Sequence, residues 1–400
     1  MKFILLLVLI IFIACEQSTI NVSSTKELMS AIKKPADRKN IILSPGTYEL
    51  EPAGIIDSTC GNCIDSSEMV PATAGIVISG NNVQLSGPSD HSVKIITRAG
   101  YGLYFLNCKN ASVKNIDISG GKRDSDSRAS DAAIVVKNST VRIENCIIHD
   151  NIGDSAIVVK NIVGIMGICG RENAYLTIID NKIIRNSWDG IALYRMAHAK
   201  IFNNYIDGVD RATAKVAGGG RGVSIGVTWD ATADIRGNIV KNYWKGIGIF
   251  VNGQASVQQN IIEDLLTWGI ACWDADKGKP SAQIENNIIY NTGACGINLA
   301  VKESAKSENS FDGNIVVKTA QNSKYDSPDY YGYQCALSIF NIPQDFKLGK
   351  NLFFINRRAV DSLPDYDLDS TQFRDSLNTY VNKLENKFLK SSSFYVSFLK

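Results

Sequence analysis

Charged and aromatic side chains concentrate between residues 188 and 274, where they could bind a substrate and transfer protons. The charged candidates for catalysis are Asp189, Arg221, Asp230, Lys245 and Asp274. The aromatic candidates for substrate binding include all five tryptophans of the chain, and they are Trp188, Tyr194, Trp229, Trp244, Phe250, Trp268 and Trp273. Aromatic rings present a large apolar face, and such a face stacks on the C–H groups of pyranose rings. The region therefore predicts a polysaccharide-binding surface.

The charged residues have three open interpretations. A lyase needs a cation that neutralises a uronate carboxylate and a base that removes the C5 proton, and Arg221 and Lys245 would fit these roles. A hydrolase needs two carboxyl groups, one of them protonated, and Asp189 with Asp230 or Asp274 would supply them. In the third interpretation Asp189, Arg221 and Lys245 occupy equivalent places on successive repeats. They would then form a structural ladder of alternating charge that contributes a few tenths of a kcal/mol per pair.

Metal and nucleic-acid partners have weaker signals. Asp124, Asp126 and Asp131 lie in one loop and could bind calcium through their oxygens, but their spacing is not that of an EF-hand, and a solvated loop is the alternative. The three histidines are widely separated, which disfavours a His-rich zinc site. The 42 basic and 40 acidic residues give a net charge of +2, so no nucleic-acid partner is expected.

An asparagine-based repeat must position these side chains. It begins at Asn115, Asn145, Asn181, Asn204, Asn238, Asn260, Asn287, Asn314 and Asn351. The spacings run from 22 to 37 residues, and the shorter ones fit a coil of three short strands and three turns. Asparagine tolerates the left-handed conformation at tight turns, and stacked amides can hydrogen-bond from coil to coil. These asparagines are therefore predicted to form a structural ladder.

A second repeat starts with glycine and alternates apolar with small residues, the period of a strand with one buried face. It begins at Gly190, Gly222, Gly246, Gly269 and Gly296. The residues predicted to point inward next to these glycines are Ile191, Val223, Ile247, Ile270 and Ile297. The residues predicted to form an outward trough are Ala192, Ser224, Gly248, Ala271 and Asn298. Beside the trough, Tyr194, Phe250 and Trp273 would form an aromatic wall, unless inserted loops cover them.

Both ends of the stacked coils carry helix signals, as a solenoid requires. At the front, Ser24 to Glu27 form a capping-box pattern, followed by an apolar helical face. At the back, apolar residues at helical spacing predict an amphipathic helix over the last coil, and they are Phe373, Leu377, Val381, Leu384 and Phe388.

The front segment resembles the opening of pectin-lyase-like proteins through its short helix, its isoleucine-rich strand and the turn Pro45-Gly46-Thr47-Tyr48. The coils through about Asn351 resemble the right-handed β-helix repeat proteins of that superfamily. This resemblance implies an all-β chain, a right-handed parallel β-helix with an N-terminal helix cap and a C-terminal helical cap. The superfamily contains polysaccharide lyases, glycoside hydrolases, epimerases, tailspikes, adhesins and surface lipoproteins. Its fold does not choose among them, and no family catalytic motif is present to carry over.

The first fifteen residues predict export. A basic start and the apolar run from Phe3 to Ala14 fit a signal peptide. The run ends at Cys15 in a sequence that resembles the lipobox of bacterial lipoproteins, which implies lipidation of Cys15 and a membrane anchor at the outer membrane or cell surface. Ordinary secretion is the alternative. The predicted boundaries are a signal peptide at 1–15, a tether at 16–24, a cap and first strand at 25–50, the β-helix at 51–356 and a C-terminal cap at 357–400.

Eight further cysteines permit disulfides in an exported chain. Cys60 and Cys63 could form a local disulfide or a metal clip, and Cys272 is predicted to be a buried small hydrophobe. The sequence thus predicts a cell-envelope protein that acts on or binds polysaccharide. Lyase, hydrolase, non-catalytic carbohydrate-binding, adhesive and structural roles remain open alternatives.

Overall fold

The computed structural model describes residues 17–33, 37–161, 163–209, 220–301, 308–321, 334–341, 345–357, 367–381 and 386–400. The predicted signal peptide, Cys15 and Leu384 lie outside these segments. Within them no helix is long and apolar enough to cross a membrane.

The described strands form three long sheets, and neighbouring strands within each sheet pair in the following order. Sheet 1 contains β1 (Ser18–Val22), β2 (Lys39–Leu43), β6 (Gln84–Ser86), β9 (Ala111–Lys114), β12 (Thr140–Glu144), β15 (Tyr175–Ile179), β18 (His198–Phe202), β21 (Thr232–Arg236), β24 (Gln254–Gln258), β27 (Ser281–Glu285), β30 (Ser310–Asp312) and β33 (Lys347–Leu348). Sheet 2 contains β3 (Gly46–Glu49), β7 (Val93–Ile96), β10 (Asp117–Ser119), β13 (Ile147–His149), β16 (Lys182–Ile184), β19 (Tyr205–Asp207), β22 (Ile239–Lys241), β25 (Ile261–Leu265), β28 (Ile288–Thr292), β31 (Ile315–Val317) and β34 (Leu352–Phe354). Sheet 3 contains β4 (Ala53–Asp57), β5 (Val70–Ile78), β8 (Tyr101–Leu106), β11 (Ala132–Lys137), β14 (Met166–Arg171), β17 (Ile191–Leu193), β20 (Val223–Val227), β23 (Lys245–Phe250), β26 (Trp268–Trp273), β29 (Cys295–Ala300) and β32 (Leu337–Phe340).

Each coil visits sheet 3, then sheet 1, then sheet 2, and every described strand pairs in parallel with its equivalent in the next coil, except that β4 is antiparallel to β5. The predicted parallel β-helix is therefore confirmed. Inward side chains stack in columns through the interior. In sheet 3 one such column is Ile168, Ile191, Ile225, Ile247, Ile270 and Ile297, all fully buried. Because a single coil would leave these side chains in water, the stacking of coils stabilises the fold.

The predicted asparagine ladder runs along the corner between sheets 1 and 2. Its members are Asn181, Asn204, Asn238, Asn260, Asn287, Asn314 and Asn351. The backbone N–H of each of the first six donates to the side-chain oxygen of the next at 2.9–3.0 Å. Asn115 and Asn145 lie one residue before this register, and Ile116 and Cys146 take the ladder position in their coils. Asn115 and Asn145 adopt the left-handed conformation instead, with φ of 60° and 48°.

The first coil is closed by α1 (Thr25–Ile32), whose Ser24 side chain accepts the Glu27 N–H at 3.3 Å. The Glu27 carboxylate accepts the Ser23 N–H at 2.7 Å, which completes the predicted capping pattern one residue earlier than Ser24. Leu28 and Ile32 of α1 are buried against the coil. Residues 18–22, inside the segment assigned to a tether, form β1 in register with β2.

The C-terminal segment packs along the outer face of sheet 2. It contains α3 (Ser370–Val381), a 3₁₀ turn (Leu389–Ser391) and α4 (Ser393–Phe398). The remaining helix, α2 (Ser155–Asn161), lies in a loop inserted between β13 and β14. The Phe373 ring of α3 stacks on Phe354 of the last coil, with ring centroids 4.4 Å apart. Farther along, Phe394 of α4 packs on Tyr290. The cap therefore covers the side of several coils as well as the last one.

Candidate functional site

The outer face of sheet 3 carries a cleft of about 360 Å³. Among its lining residues, those that the sequence singles out are Trp188, Asp189, Tyr194, Trp229, Trp244, Lys245 and Phe250. The structure thus brings together five of the seven aromatic candidates and two of the five charged candidates. We call this surface the aromatic cleft.

The register of β20 corrects the predicted charged column. Ile225 lies opposite Ile191 and Ile247, so Val223 lies between Asp189 and Lys245. Arg221 precedes this position by two residues and does not share it. Val223 and Ser224 also exchange their predicted directions. Val223 lines the aromatic cleft, and Ser224 is buried and donates to the Gly246 carbonyl at 2.5 Å.

Lys245 lies between two indole rings. Its Nζ is 4.5 Å from the centroid of the Trp244 ring and 5.5 Å from that of Trp268. Burial lowers the pKa of Lys245, while the charge of Asp189 opposes this shift. The amine is therefore easier to deprotonate than an exposed lysine.

Asp189 is 5% exposed and accepts the Val223 N–H at 2.6 Å. Burial raises the pKa of its carboxyl to about 7, partly offset by that hydrogen bond and by Lys245. Asp189 can consequently hold or release a proton near neutral pH. Two strand spacings, roughly 9.5 Å, separate the backbones of Asp189 and Lys245.

Trp229 borders the aromatic cleft from the turn after β20. The Arg195 guanidinium lies 4.5 Å from its ring centroid and the Lys277 amine 5.7 Å from it. Its Nε1 donates to the Asn62 side-chain oxygen at 2.9 Å. Two cations and a hydrogen bond thus fix the orientation of the ring.

Asn62 belongs to a segment that folds back over sheet 3, which we call the flap and define as residues 53–70. The flap carries the Cys60–Cys63 disulfide, which settles the two interpretations of this pair. Asn62 and Ile64 of the flap line one end of the aromatic cleft. The spacing of the two cysteines indicated a constrained loop, but nothing in the sequence indicated where it packs.

Buried ion pairs hold the flap on sheet 3. Arg171 is fully buried, and its guanidinium donates to Asp57 at 2.9 Å and to Glu172 at 2.5 Å. It also donates to the Thr59 carbonyl at 2.7 Å. Lys137 forms a second ion pair with Asp57. Each of these charges has a partner, as burial requires.

The flap covers one of the aromatic candidates and leaves another exposed. Tyr194 is 6% exposed and belongs to an apolar cluster beneath the flap, so the alternative that inserted loops cover the rings is correct for this residue. Trp273, by contrast, is 39% exposed. Its ring packs edge-on against Phe250 and Trp268, outside the cleft lining but next to it.

The remaining charged candidates lie away from the lining of the aromatic cleft. Arg221 is buried, with its guanidinium 5.7 Å from the Trp188 ring centroid. Asp230 is exposed at the turn after β20, with φ of 62°. Asp274 is 5% exposed and accepts the Asp276 N–H at 3.0 Å. A pair of carboxyl groups that face each other across the cleft is therefore not formed by these residues.

Two glycines, Gly222 and Gly226, line part of the aromatic cleft, whereas none of the five residues predicted to form the outward trough does. A Cβ atom added to Gly226 would meet no atom within 4 Å, so the space above it is open. At Gly248, a Cβ would lie 2.3 Å from the Phe250 ring, which occupies that space. A larger side chain therefore has room at Gly226 but not at Gly248.

The three aspartates considered for calcium have protein partners. Asp131 pairs with the buried Arg123. Asp124 accepts the Thr73 N–H at 2.8 Å, and Asp126 pairs with Arg128 at 2.5 Å. In the described part of the chain, no group of three or more His, Cys, Asp or Glu side chains is arranged to hold a metal ion.

A family model described as the right handed beta helix region matches residues 47–225 and 166–336. The chain belongs to the right-handed β-helix family. A comparison with curated proteins finds no match.

The chain is also similar to solved structures. The Dettilon tailspike protein has a TM-score of 0.54 and 15% identity, with 82% of this chain and 58% of the tailspike covered. An alginate lyase from a Paenibacillus species has a TM-score of 0.45 and 14% identity over 81% of this chain and 99% of the lyase. The surface adhesin PfbA of Streptococcus pneumoniae has a TM-score of 0.38 and 13% identity over 80% of this chain and 69% of the adhesin. At these identities the likeness concerns the fold.

Proposed function

We propose that this protein acts at the cell envelope on an acidic polysaccharide that binds in the aromatic cleft, and that it cleaves the chain by β-elimination. The observation that carries the proposal is that Lys245 and Asp189, each with a shifted pKa, line the same cleft together with aromatic rings. The names of several β-helix structures, which include alginate lyases and a pectate lyase, are consistent with such a substrate.

In this reaction the neutral amine of Lys245 removes the C5 proton of a uronate residue. The electron pair forms the C4=C5 double bond and the C4–O bond breaks. The protonated carboxyl of Asp189 then gives its proton to the departing oxygen. The C5 proton and the departing oxygen are bound to neighbouring carbons of one uronate, so the side chains of Lys245 and Asp189 must converge in the cleft from backbones two coils apart. Lys277, which also lines the cleft, supplies a cation for the substrate carboxylate.

The second candidate function is carbohydrate binding without cleavage. The specific observation that favours it is the position of Lys245 between Trp244 and Trp268, because ring faces stabilise the charged amine. A charged amine suits capture of a carboxylate better than removal of a proton. Lipid anchoring at Cys15 and display at the outer membrane or cell surface are compatible with either function and stay proposals.

A substitution that fills the cleft tests binding. Gly226→Leu places a side chain in open space and should weaken binding to an acidic glycan panel at least about tenfold without loss of folding. Gly54→Leu is the matched control, since Gly54 on β4 also has open space around it and lies outside the cleft. Equal affinities of the two variants would contradict binding in the aromatic cleft.

Turnover separates the two functions. Incubation with uronate polysaccharides should raise the ultraviolet absorbance of unsaturated uronate ends if the protein is a lyase. Lys245→Met should then lower turnover about 100-fold or more, while Lys279→Met, at an exposed lysine outside the lining, should not. Binding of a uronate chain that stays intact would favour the second function.

A further inference from the structure

Exposed apolar side chains are frequent in the first part of the chain, on the elements of the first coils and on the flap. Six of the fifteen large hydrophobic residues exposed in the described segments lie within the first 80 residues, and they are Met29, Ile42, Ile56, Ile64, Met69 and Val77. Ile56, Ile64 and Met69 belong to the flap, whereas Met29 and Val77 line one groove at the N-terminal end. Apolar side chains concentrated in this way commonly mark an interaction surface.

A groove of about 550 Å³ lies between α1 and β5 at this end. Its apolar lining comes from Met29 and Ile32 of the helix and from Ile76 and Val77 of the strand. Met29 and Val77 are 41% and 39% exposed, although they line a concave surface. The groove is therefore open to an apolar ligand.

The charges at this groove are positive. Lys26 and Lys33 line it, together with serines, and no acidic side chain does. The acidic residues nearest in sequence are engaged elsewhere, since Glu27 accepts the Ser23 N–H and Asp37 accepts the Asn81 N–H. An apolar groove flanked by two lysines suits an amphiphile with an anionic headgroup.

The groove is also close in sequence to the proposed lipidation site. Only Glu16 and Gln17 separate Cys15 from Ser18, the first residue of β1. Three residues of extended chain span roughly 10 Å. A lipid on Cys15 would thus hold the first coil and the adjacent α1 close to the lipid headgroups.

We propose that the N-terminal end of the solenoid docks directly on a membrane surface that contains anionic lipid. Lys26 and Lys33 contact the phosphate groups, and the groove between α1 and β5 takes apolar lipid. The solenoid then projects away from the membrane. This inference does not depend on what the aromatic cleft binds.

Vesicle co-sedimentation can test docking of the protein surface without a lipid anchor. The experiment uses the chain from Glu16 onward, which contains every described residue but not Cys15. The protein should bind phosphatidylcholine vesicles that contain phosphatidylglycerol, bind pure phosphatidylcholine less, and be released by high salt. Lys26→Glu with Lys33→Glu should weaken binding to the anionic vesicles about tenfold or more. Met29→Asp with Val77→Asp should weaken binding to both kinds of vesicle, with an unchanged melting temperature because both side chains are exposed.

The matched control is Lys347→Glu with Lys350→Glu, the same change of charge at exposed positions in the last coil. Equal loss in the control would mean that net charge alone drives binding, and would overturn the proposal. So would failure of the unaltered chain to bind anionic vesicles at low salt. A dimer in solution that Met29→Asp dissociates, without vesicle binding, would assign the groove to a second copy instead. Glycan binding should be unchanged in all these variants, so this proposal and the proposed function can fail separately.

Discussion

Sheet 3 has two halves that share one backbone plan but differ in what covers them. In the N-terminal half, outward residues such as Tyr101, Met166 and Arg171 lie beneath the flap and are buried. In the next coils, the equivalent columns carry Lys245, Phe250 and Trp273, which are partly exposed or exposed. The same outward positions therefore serve as a second core where a loop covers them and border an open cleft where none does. The edge of the flap forms the boundary, since Asn62 and Ile64 line the aromatic cleft.

Removal of the charge that holds the flap should have the largest effect. Arg171→Ala leaves Asp57 and Glu172 without their buried partner and should lower the free energy of unfolding by about 3 kcal/mol in urea titration. Arg142→Ala breaks an exposed pair with Glu144 and should cost less than about 1 kcal/mol. Equal small losses would show that the flap does not depend on the buried cluster.

Asp189 should make the free energy of unfolding depend on pH. Its folded pKa of about 7 lies above the ordinary aspartate value of 3.8, so the folded state holds a proton that the unfolded state releases. The carboxyl therefore costs stability progressively as pH rises from about 4 to 7. Asp189→Asn should remove this cost, with a gain in unfolding free energy near zero at pH 4 and about 4 kcal/mol at pH 8. A gain that is the same at both pH values would contradict the assignment.

The coils from Asn181 onward also depend on the asparagine ladder. The preceding coil contributes only the Cys146 N–H, which donates to the Asn181 side chain. Asn260→Ala removes an acceptor from the Asn238 N–H and leaves it buried, at a cost of about 1–2 kcal/mol. Asn40→Ala, at a partly exposed position with one long contact to Thr19, should cost less than about 0.5 kcal/mol. Thermal melts of the two variants measure the difference, and similar melting temperatures would argue against the ladder as a source of stability.

The smallest expected effect concerns the disulfide at the boundary. Cys60→Ser with Cys63→Ser opens a very short loop, so the loss of unfolding free energy should be about 1 kcal/mol or less. The change should nevertheless weaken glycan binding a few-fold, because Asn62 orients Trp229. Unchanged affinity would show that the flap contributes no wall to the binding site.

Periodicity predicted the coils and the ladder, because each repeats a local pattern that faces one environment. The predicted trough of small residues was placed wrongly, since none of its five residues lines the aromatic cleft. The register of β20 could not be predicted, since Val223 and Ile225 are both apolar and β-branched, and either of them could be taken as the first inward residue of the strand. The flap was missed for a different reason. Its contacts are distant in sequence, such as the pair of Asp57 and Arg171, which are 114 residues apart. Nothing local to either residue indicates the other.

The ladder gives the molecule a form of modularity. Every ladder bond joins a backbone N–H of one coil to the amide of its neighbour, and this unit is the same at Asn238, Asn260 and Asn287. Duplication or deletion of one whole coil, such as the 22 residues from Asn238 up to but not including Asn260, would restore an identical bond at the junction. Chains of this kind can thus change length in evolution by single coils, and each added coil would lengthen the outer face of sheet 3 by roughly 4.8 Å.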